Sequence, residues 1–407
     1  MAHLARHRGQ LGPLDSPEDF GRYKLVERIG VGGMAEVFRA TTSWAAGVEK
    51  AVCIKRILPP LTSDQRMREM FIQEARIAAE LTHANIVPVY EFGIIDEYYF
   101  LSMELVDGYT VRDIMMQAAR VKRWLELPLV LHLATEVLEG LDYAHRRHDA
   151  DGNPLSIVHR DITPGNVMAS RAGEVKLLDF GIALIVEEED ERRPGGAKGK
   201  PGYMAPEQAV GMAVDGRADI FGIGVVLWEM LCHKRLFREK SAAERLRRSA
   251  PVSPPSSINP EVPTELDAIV LRALESKPAQ RYESAAQFRD ALQDYMHAEG
   301  LRAGRSTVAS ALATLFDVAE EAAPVGRSWK MDIRDLSGRS LDSLEQVRPP
   351  RGRRVTRTSR GIASLGDRDH REDVFAVTRR LPLAITLLVA ALVLVAGGAL
   401  AYILLVD

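Results

Sequence analysis

From Tyr23 to about Val106 apolar and polar positions alternate in short runs. Leu25–Ile29, Glu36–Ala40, Ala51–Lys55, Ile86–Tyr90 and Tyr98–Met103 have the alternation and residue types of strands. Between the third and fourth runs the period changes. Met67, Met70, Ile77 and Leu81 form a stripe at helical spacing, predicting a helix over Ser63–Leu81. After Gly108 the pattern is helical, as in Leu127–His145 and Ile220–Leu231. This order predicts an α+β chain: a small strand-rich lobe with one key helix over about 21–106, then a larger helical lobe over about 107–299. A chain of 407 residues has room for one such two-lobed domain or two or three smaller ones.

The two ends differ. Met1 to Phe20 has histidines, arginines and prolines but no apolar run, so 1–20 is expected to be a disordered leader and not a secretory signal. Residues 300–380 read as a linker with a short helix over Val308–Val318. The second half is basic, with ten arginines between Arg348 and Arg380. It reads equally as a segment lying on anionic lipid or as a solvated tether. From Leu381 to Val406 there are 26 residues without a charge. At about 1.5 Å per residue such a helix crosses a hydrocarbon core of about 30 Å. Arg379 and Arg380 precede it and only Asp407 follows, so the expected arrangement is a single-pass tail anchor in the inner membrane. The part before the span would be cytoplasmic, the C-terminus outside, with no external sensor domain. Gly397 and Ala401 form a small-xxx-small pair, which makes a homodimer possible in the span.

The net charge of −3 is too unevenly spread to indicate partners, and no nucleic-acid partner is expected. Two cysteines, Cys53 and Cys232, fit a reducing compartment without a disulfide framework. No internal repeat is present.

One turn and one helix carry the first chemical signal. Gly30-Val31-Gly32-Gly33-Met34-Ala35-Glu36-Val37 joins the first two strands, where glycines allow the backbone to approach phosphate oxygens. Glu74 lies on the apolar stripe of the predicted helix, and a carboxylate there is costly unless paired. The second signal is three segments in fixed order within 49 residues: His159-Arg160-Asp161 with Asn166, Asp179-Phe180-Gly181, and Ala205-Pro206-Glu207. They match H-R-D-x-x-x-x-N, D-F-G and A-P-E. Over roughly Tyr23 to His297 the chain resembles the eukaryotic-like Ser/Thr protein kinases of bacteria.

That resemblance implies a two-lobed protein-kinase fold and ATP with Mg2+, or Mn2+, at its site. It implies that Lys55 holds the α- and β-phosphates and pairs with Glu74, and that Asp161 orients the substrate hydroxyl. Asn166 and Asp179 would be the metal ligands. Ile29 to Val37 would cover the nucleotide, with Ala35 replacing the third glycine of the loop. Cys53 takes the place of the alanine that packs on adenine, Met103 is the expected gatekeeper, and Glu104 and Val106 lie in the hinge. Met168 completes the expected nucleotide contacts. Asp219 would bind catalytic-loop amides, and Glu207 with Arg281 would form a buried structural pair. His159, Phe180 and Tyr203 are expected to be packing or structural residues.

Two positions depart from the family pattern. The catalytic-loop lysine is Thr163, and the threonine of the later G-T pair is Lys200. The resemblance puts these side chains beside each other, so the two residue types read as exchanged, with Lys200 reaching the transferred phosphate from the opposite wall. Drift in an inactive protein is the alternative. Pro164 favours Ser/Thr specificity. Between Asp179 and Glu207 there is no serine or threonine to phosphorylate. Glu187-Glu188-Glu189-Asp190-Glu191 reads as a solvated acidic loop, or as a permanent phosphate substitute for Arg160. The leading expectation is a membrane-anchored Ser/Thr protein kinase with an unnamed protein substrate; the runner-up is a pseudokinase scaffold. A kinase of small molecules fits less well, because the A-P-E segment and Arg281 point to a protein substrate.

Overall fold

The computed structural model describes residues 11–31, 35–43, 49–57, 65–149, 151–180, 202–237 and 251–320, with the backbone alone at 66, 67, 70, 74 and 317–320. The elements in chain order are β1 (Gly12–Phe20), β2 (Tyr23–Val31), β3 (Ala35–Ser43), β4 (Glu49–Ile57), α1 (Gln65–Glu80), β5 (Val89–Ile95) and β6 (Tyr98–Glu104). After these come β7 (Gly108–Thr110), α2 (Val111–Arg120), α3 (Leu127–His145), β8 (Val167–Ser170) and β9 (Val175–Leu177). The remaining helices are α4 (Pro206–Ala209), α5 (Arg217–Cys232), α6 (Glu265–Ala273), α7 (Ala285–Ala298) and α8 (Arg305–Glu320).

The first six strands form one antiparallel sheet in the order β1-β2-β3-β4-β6-β5. Its two faces bury different clusters. Phe20, Tyr23, Leu25, Phe38 and Phe100 pack on one face, while Ile29, Val37, Cys53, Phe71 and Met103 pack on the other with α1. Adjacent residues of a strand point to opposite faces, so Val37 and Phe38 fall into different clusters. The helical lobe is built on α3 and α5, which are apolar nearly all round and buried by α6, α7 and α8. A second sheet, β7-β8-β9, lies between them and the cleft.

Three differences from the sequence expectation have identifiable causes. Gly12–Phe20 is not a disordered leader but an edge strand paired with β2. Its two prolines hide it from pattern reading, yet an edge strand tolerates them, and its register shifts between Pro13 and Glu18. The strand expected at Ile86–Tyr90 starts only at Val89. Pro88 has no N–H for a ladder, and Ile86 instead lies opposite Leu177 of β9, whose carbonyl oxygen accepts from the Val87 amide and whose amide donates to the Asn85 carbonyl oxygen. The helix expected at Val308–Val318 spans Arg305–Glu320 and belongs to the helical lobe, not to a linker. Val308, Leu312 and Leu315 are buried at i, i+4 and i+7, and Phe316 stacks on Tyr109. A Cβ at Gly173 would lie 1.9 Å from the Arg305 carbonyl oxygen, so only glycine admits this helix.

Among the described residues no helix is long and apolar enough to cross a membrane. Leu381–Val406, the basic segment from Arg348 and the acidic run at Glu187 lie outside the described residues.

Candidate active site

The sheet register sets the upper wall of the cleft. Cys53 pairs with Met103 and Lys55 with Leu101 across β4 and β6, and Val37 pairs with Lys55 across β3 and β4. Three neighbouring strands therefore deliver Val37, Cys53, Lys55 and Met103 to one face. Ile29 joins them from β2, and Met168 on β8 closes the cleft from below. With Glu104, Leu105, Val106, Thr110, Asp113, Leu178 and Asp179, these side chains line a cleft of about 600 Å³, counting its open mouth. That size and an apolar slot with a charged end suit a nucleotide. Burial, and then the nearby Asp179 charge, push the Cys53 thiol up to about 12, so it is a neutral apolar contact there.

The charged end holds Lys55 and Asp179, with Nζ 3.1 Å from Oδ1. Asp179 has φ 39°, a conformation that costs a non-glycine residue energy and is kept by its surroundings. Those surroundings are Phe180, buried in a cluster with Leu81, Ile86, Ala144 and Ile157 and packed on the His159 ring at 4.7 Å. The His159 imidazole bonds the Leu178 carbonyl oxygen at 2.9 Å. His159 and Phe180 are thus packing residues that place Asp179.

Asp161 and Asn166 are brought together by the loop that carries both. Asn166 Nδ2 donates to Asp161 Oδ2 and to the Asp161 carbonyl oxygen, both at 2.8 Å. The Asn166 carbonyl oxygen accepts from the Leu178 amide at 2.9 Å, tying this loop to the segment that carries Asp179. The loop itself hangs from Asp219 at the start of α5, 1% exposed. Its carboxylate accepts from the His159 amide at 2.8 Å and the Arg160 amide at 2.7 Å, and meets His145 Nε2 at 2.8 Å. Burial pushes the Asp219 carboxyl up. The His145 hydrogen bond, the imidazole charges and the His159 amide outweigh that and leave it below the usual aspartate range. Gln208 Nε2 donates to the Arg160 carbonyl oxygen at 2.7 Å, which completes the suspension.

Arg281 Nη1 and Nη2 meet the Glu207 carboxylate at 2.7 and 2.8 Å. The other donors go to the carbonyl oxygens of Arg217, Glu275 and Ser276, which accounts for all five N–H groups of a fully buried guanidinium. Tyr203 is equally structural. Its buried hydroxyl donates to Glu229 at 2.6 Å.

Thr163 is fully buried beside Asp161, and its hydroxyl has no hydrogen-bond partner among the described residues. Gly30, Val31, Ala35 and Glu36 lie on the limbs of the β2–β3 hairpin, whereas Gly32, Gly33, Met34 and Lys200 lie outside the described residues. Glu74 is on α1, but its side chain is not among those described, so the expected pair with Lys55 stays an expectation. The Glu36 carboxylate binds Arg28 and Arg56, each at 3.2 Å.

Sequence reading missed Thr110 and Asp113 at the mouth of the cleft. They form a capping box at the start of α2, and the Thr-x-x-Asp spacing before an apolar run was the available signal. Burial, opposed by the Thr110 hydrogen bonds, raises the Asp113 carboxyl. His145 and Gln208 were missed as well, and nothing local marks them.

A strand-rich lobe joined to a helical lobe, with a lysine–aspartate pair in the cleft and an aspartate bonded to an asparagine on the loop tied to it, is the arrangement of the protein kinases. The protein kinase domain family matches residues 23–294, and the chain belongs to that family. The chain is 42% identical over 288 residues to the tyrosine-protein kinase MasK of Myxococcus xanthus, covering 70% of this chain and 44% of MasK. It is 35% identical over 317 residues to the serine/threonine-protein kinase Pkn1 of the same species, covering 75% and 42%. The match to the serine/threonine-protein kinase PknH of Mycobacterium bovis is 34% over 268 residues, covering 65% and 42%. The chain thus spans less than half the length of these relatives. The crystal structure of the Mycobacterium tuberculosis PknI kinase domain superposes with a TM-score of 0.54 at 29% identity, covering 70% of this chain and 99% of that domain.

Proposed function

We propose that the chain is a protein serine/threonine kinase that transfers the γ-phosphoryl group of ATP to protein hydroxyls in bacterial signalling. The observation that carries this reading is the ion pair of Lys55 and Asp179 in the cleft, with Asp161 and Asn166 bonded to each other on a loop that is tied to the cleft residue Leu178. Asp161, held by the Asn166 amide, orients the incoming hydroxyl and accepts its proton. Lys55, paired with Glu74, holds the α- and β-phosphates.

The residues present fit a divalent metal. Asp179 and the Oδ1 of Asn166, whose Nδ2 makes both bonds to Asp161, are hard oxygen donors. Among the described residues no cluster of three or more His, Cys, Asp or Glu could hold a metal, so the rest of the shell falls to water and phosphate oxygens. Bound there, Mg2+ or Mn2+ supplies charge that neutralises the phosphates.

Lys200 and Thr163 have exchanged residue types, and Lys200 binds the transferred phosphate in place of the loop lysine. The buried Thr163 hydroxyl, without a hydrogen-bond partner among the described residues, supports this reading, since the site beside Asp161 holds a short neutral group. A tyrosine acceptor is the second reading, favoured by the name of the MasK relative. A scaffold without phosphoryl transfer has no observation in its favour. The span Leu381–Val406 anchors the chain, with the kinase domain cytoplasmic, and autophosphorylation falls on Thr356, Thr358 or Ser359.

The test is autophosphorylation of the detergent-solubilised full chain with Mg·ATP, sites and phospho-amino acids being identified by mass spectrometry. Phosphoserine or phosphothreonine in the parent, lost in Asp161→Asn, is the expected result. Phosphotyrosine alone selects the second reading, and equal signal in Asp161→Asn overturns both. Lys200→Ala should lower kcat with little effect on ATP affinity. Equal activity would mean that the exchange is incidental.

A further inference from the structure

Lys55 and Arg56 are neighbours on β4 and therefore point to opposite faces of the sheet. Lys55 faces the cleft. Arg56 lies on the other face, its guanidinium over the rings of Phe20, Phe38 and Tyr98 at 5.4, 4.8 and 4.8 Å, and its side chain 8% exposed. Two carboxylates hold that buried cation. Glu36 Oε2 lies 3.2 Å from Nη2, and Glu18 Oε1 lies 2.7 Å from Nη1. Glu36 belongs to the β3 limb of the glycine-rich hairpin, and its other oxygen takes Arg28 of the β2 limb at 3.2 Å. Glu18 comes from β1, the strand ahead of the hairpin. An unbroken ionic chain thus runs from β1 through Arg56 to both limbs of the hairpin, on the face away from the nucleotide.

We infer that Glu18 and Arg56 are positioning residues for ATP: β1 braces the glycine-rich hairpin from behind and fixes its height over the phosphates. The inference rests on the kinase reading of the cleft. A hairpin rich in glycine has high conformational entropy and needs an external tie to stay at one height. The limbs pair with each other, β3 pairs with β4 as far as Ala35 and Ile57, and β1 pairs with β2 at Glu27 and Arg28, so backbone ladders hold their bases. The tie through Glu36 adds a side-chain restraint on both limbs at once, because Arg56 is locked among three rings. Without Glu18 the Arg56 charge rests on Glu36 alone, and the side-chain link to β1 is cut while the β1–β2 ladder remains. No residue of this brace touches the reacting atoms, so its effect is on nucleotide binding and not on the chemical step.

The test compares Glu18→Gln and Glu18→Asp with the parent, each as the full chain in detergent. Glu18 is at the rim of the cluster, 40% exposed, so both variants keep the fold. Glu18→Gln should raise KM for ATP about three- to fivefold, the range of a half-exposed ion pair. Its kcat should stay within about twofold, and Glu18→Asp should lie close to the parent. In the nucleotide-free protein, hydrogen exchange between Gly30 and Val37 should quicken in Glu18→Gln while α3 is unchanged. Unchanged KM with unchanged exchange overturns the inference, and so does quickening that extends equally to α3. If the parent binds no ATP the kinase reading falls, and the exchange comparison alone decides whether the brace exists.

Discussion

The floor of the cleft hangs from buried charge, whereas its roof is placed by strand register. Below, Asp219 gathers two backbone amides and an imidazole, and through them sets Asp161 and Asp179. Above, Cys53, Lys55 and Met103 are put in place by β4–β6 pairing and by an apolar face. The two constructions tolerate change differently. A buried carboxylate with several donors fails sharply when altered, because each donor left behind is unsatisfied. An apolar wall adjusts, losing about 1 kcal/mol for a methylene-sized change.

This contrast can be broken at several points. Asp161→Asn should lower kcat by about 10²- to 10⁴-fold with little loss of stability, since the Asn166 amide keeps an oxygen to bond. Steady-state kinetics together with a melting curve would check both halves of that statement. Arg281→Ala should destabilise the helical lobe by about 3–5 kcal/mol, because Glu207 would keep a buried charge without its partner. Urea unfolding measures this, and a loss near zero would show that the floor does not depend on buried ion pairs.

Asp219→Asn should cost about 1.5–3 kcal/mol, the worth of hydrogen bonds to a charged group. The pH dependence has a definite sign. The folded Asp219 carboxyl lies below the ordinary value, so its contribution is present above about pH 4 and is lost as pH falls through the lower folded value. The stability deficit of the Asp219→Asn variant against the parent should therefore be largest at neutral pH and shrink in acid, as urea unfolding across that range would show.

On the roof, Cys53→Ala should shift stability by about 1 kcal/mol or less and KM for ATP by less than about threefold. A larger effect would mean that the roof is as exacting as the floor. Smallest of all is the response of the thiols to alkali. Burial first, in both cases, pushes Cys53 and Cys232 up to about 12. Labelling with iodoacetamide should stay flat through about pH 9, where an ordinary thiol near 8.5 becomes reactive. A rise in that range would show that the cleft is wetter than its apolar lining suggests.

Much of the floor is legible in the sequence, because its chemistry lies in short segments whose residue order is itself the signal. Asp161 and Asn166 are five residues apart, within one loop. The helices α1, α3 and α5 are legible for a related reason: period and length are local properties of a chain. The strand β1 is not. Its segment, Gly-Pro-Leu-Asp-Ser-Pro-Glu-Asp-Phe, has no alternation, and it becomes a strand only because β2 offers it an edge. The capping box at Thr110 and Asp113 can be read from its spacing, but its place at the mouth of the cleft cannot.

The sequence by itself determined which groups could do chemistry, and that a strand-rich lobe precedes a helical one. Tertiary structure decided what holds those groups. Asp219 reaches an amide 60 residues away, Arg281 a carboxylate 74 away, and Arg56 a carboxylate 38 away. It decided as well that α8 closes the helical lobe and that Thr163 sits buried with no hydrogen-bond partner among the described residues. Periodicity reports a residue's neighbours within a turn or a strand, whereas a buried charge is satisfied by whichever donor the folded chain brings to it. No local pattern carries that information.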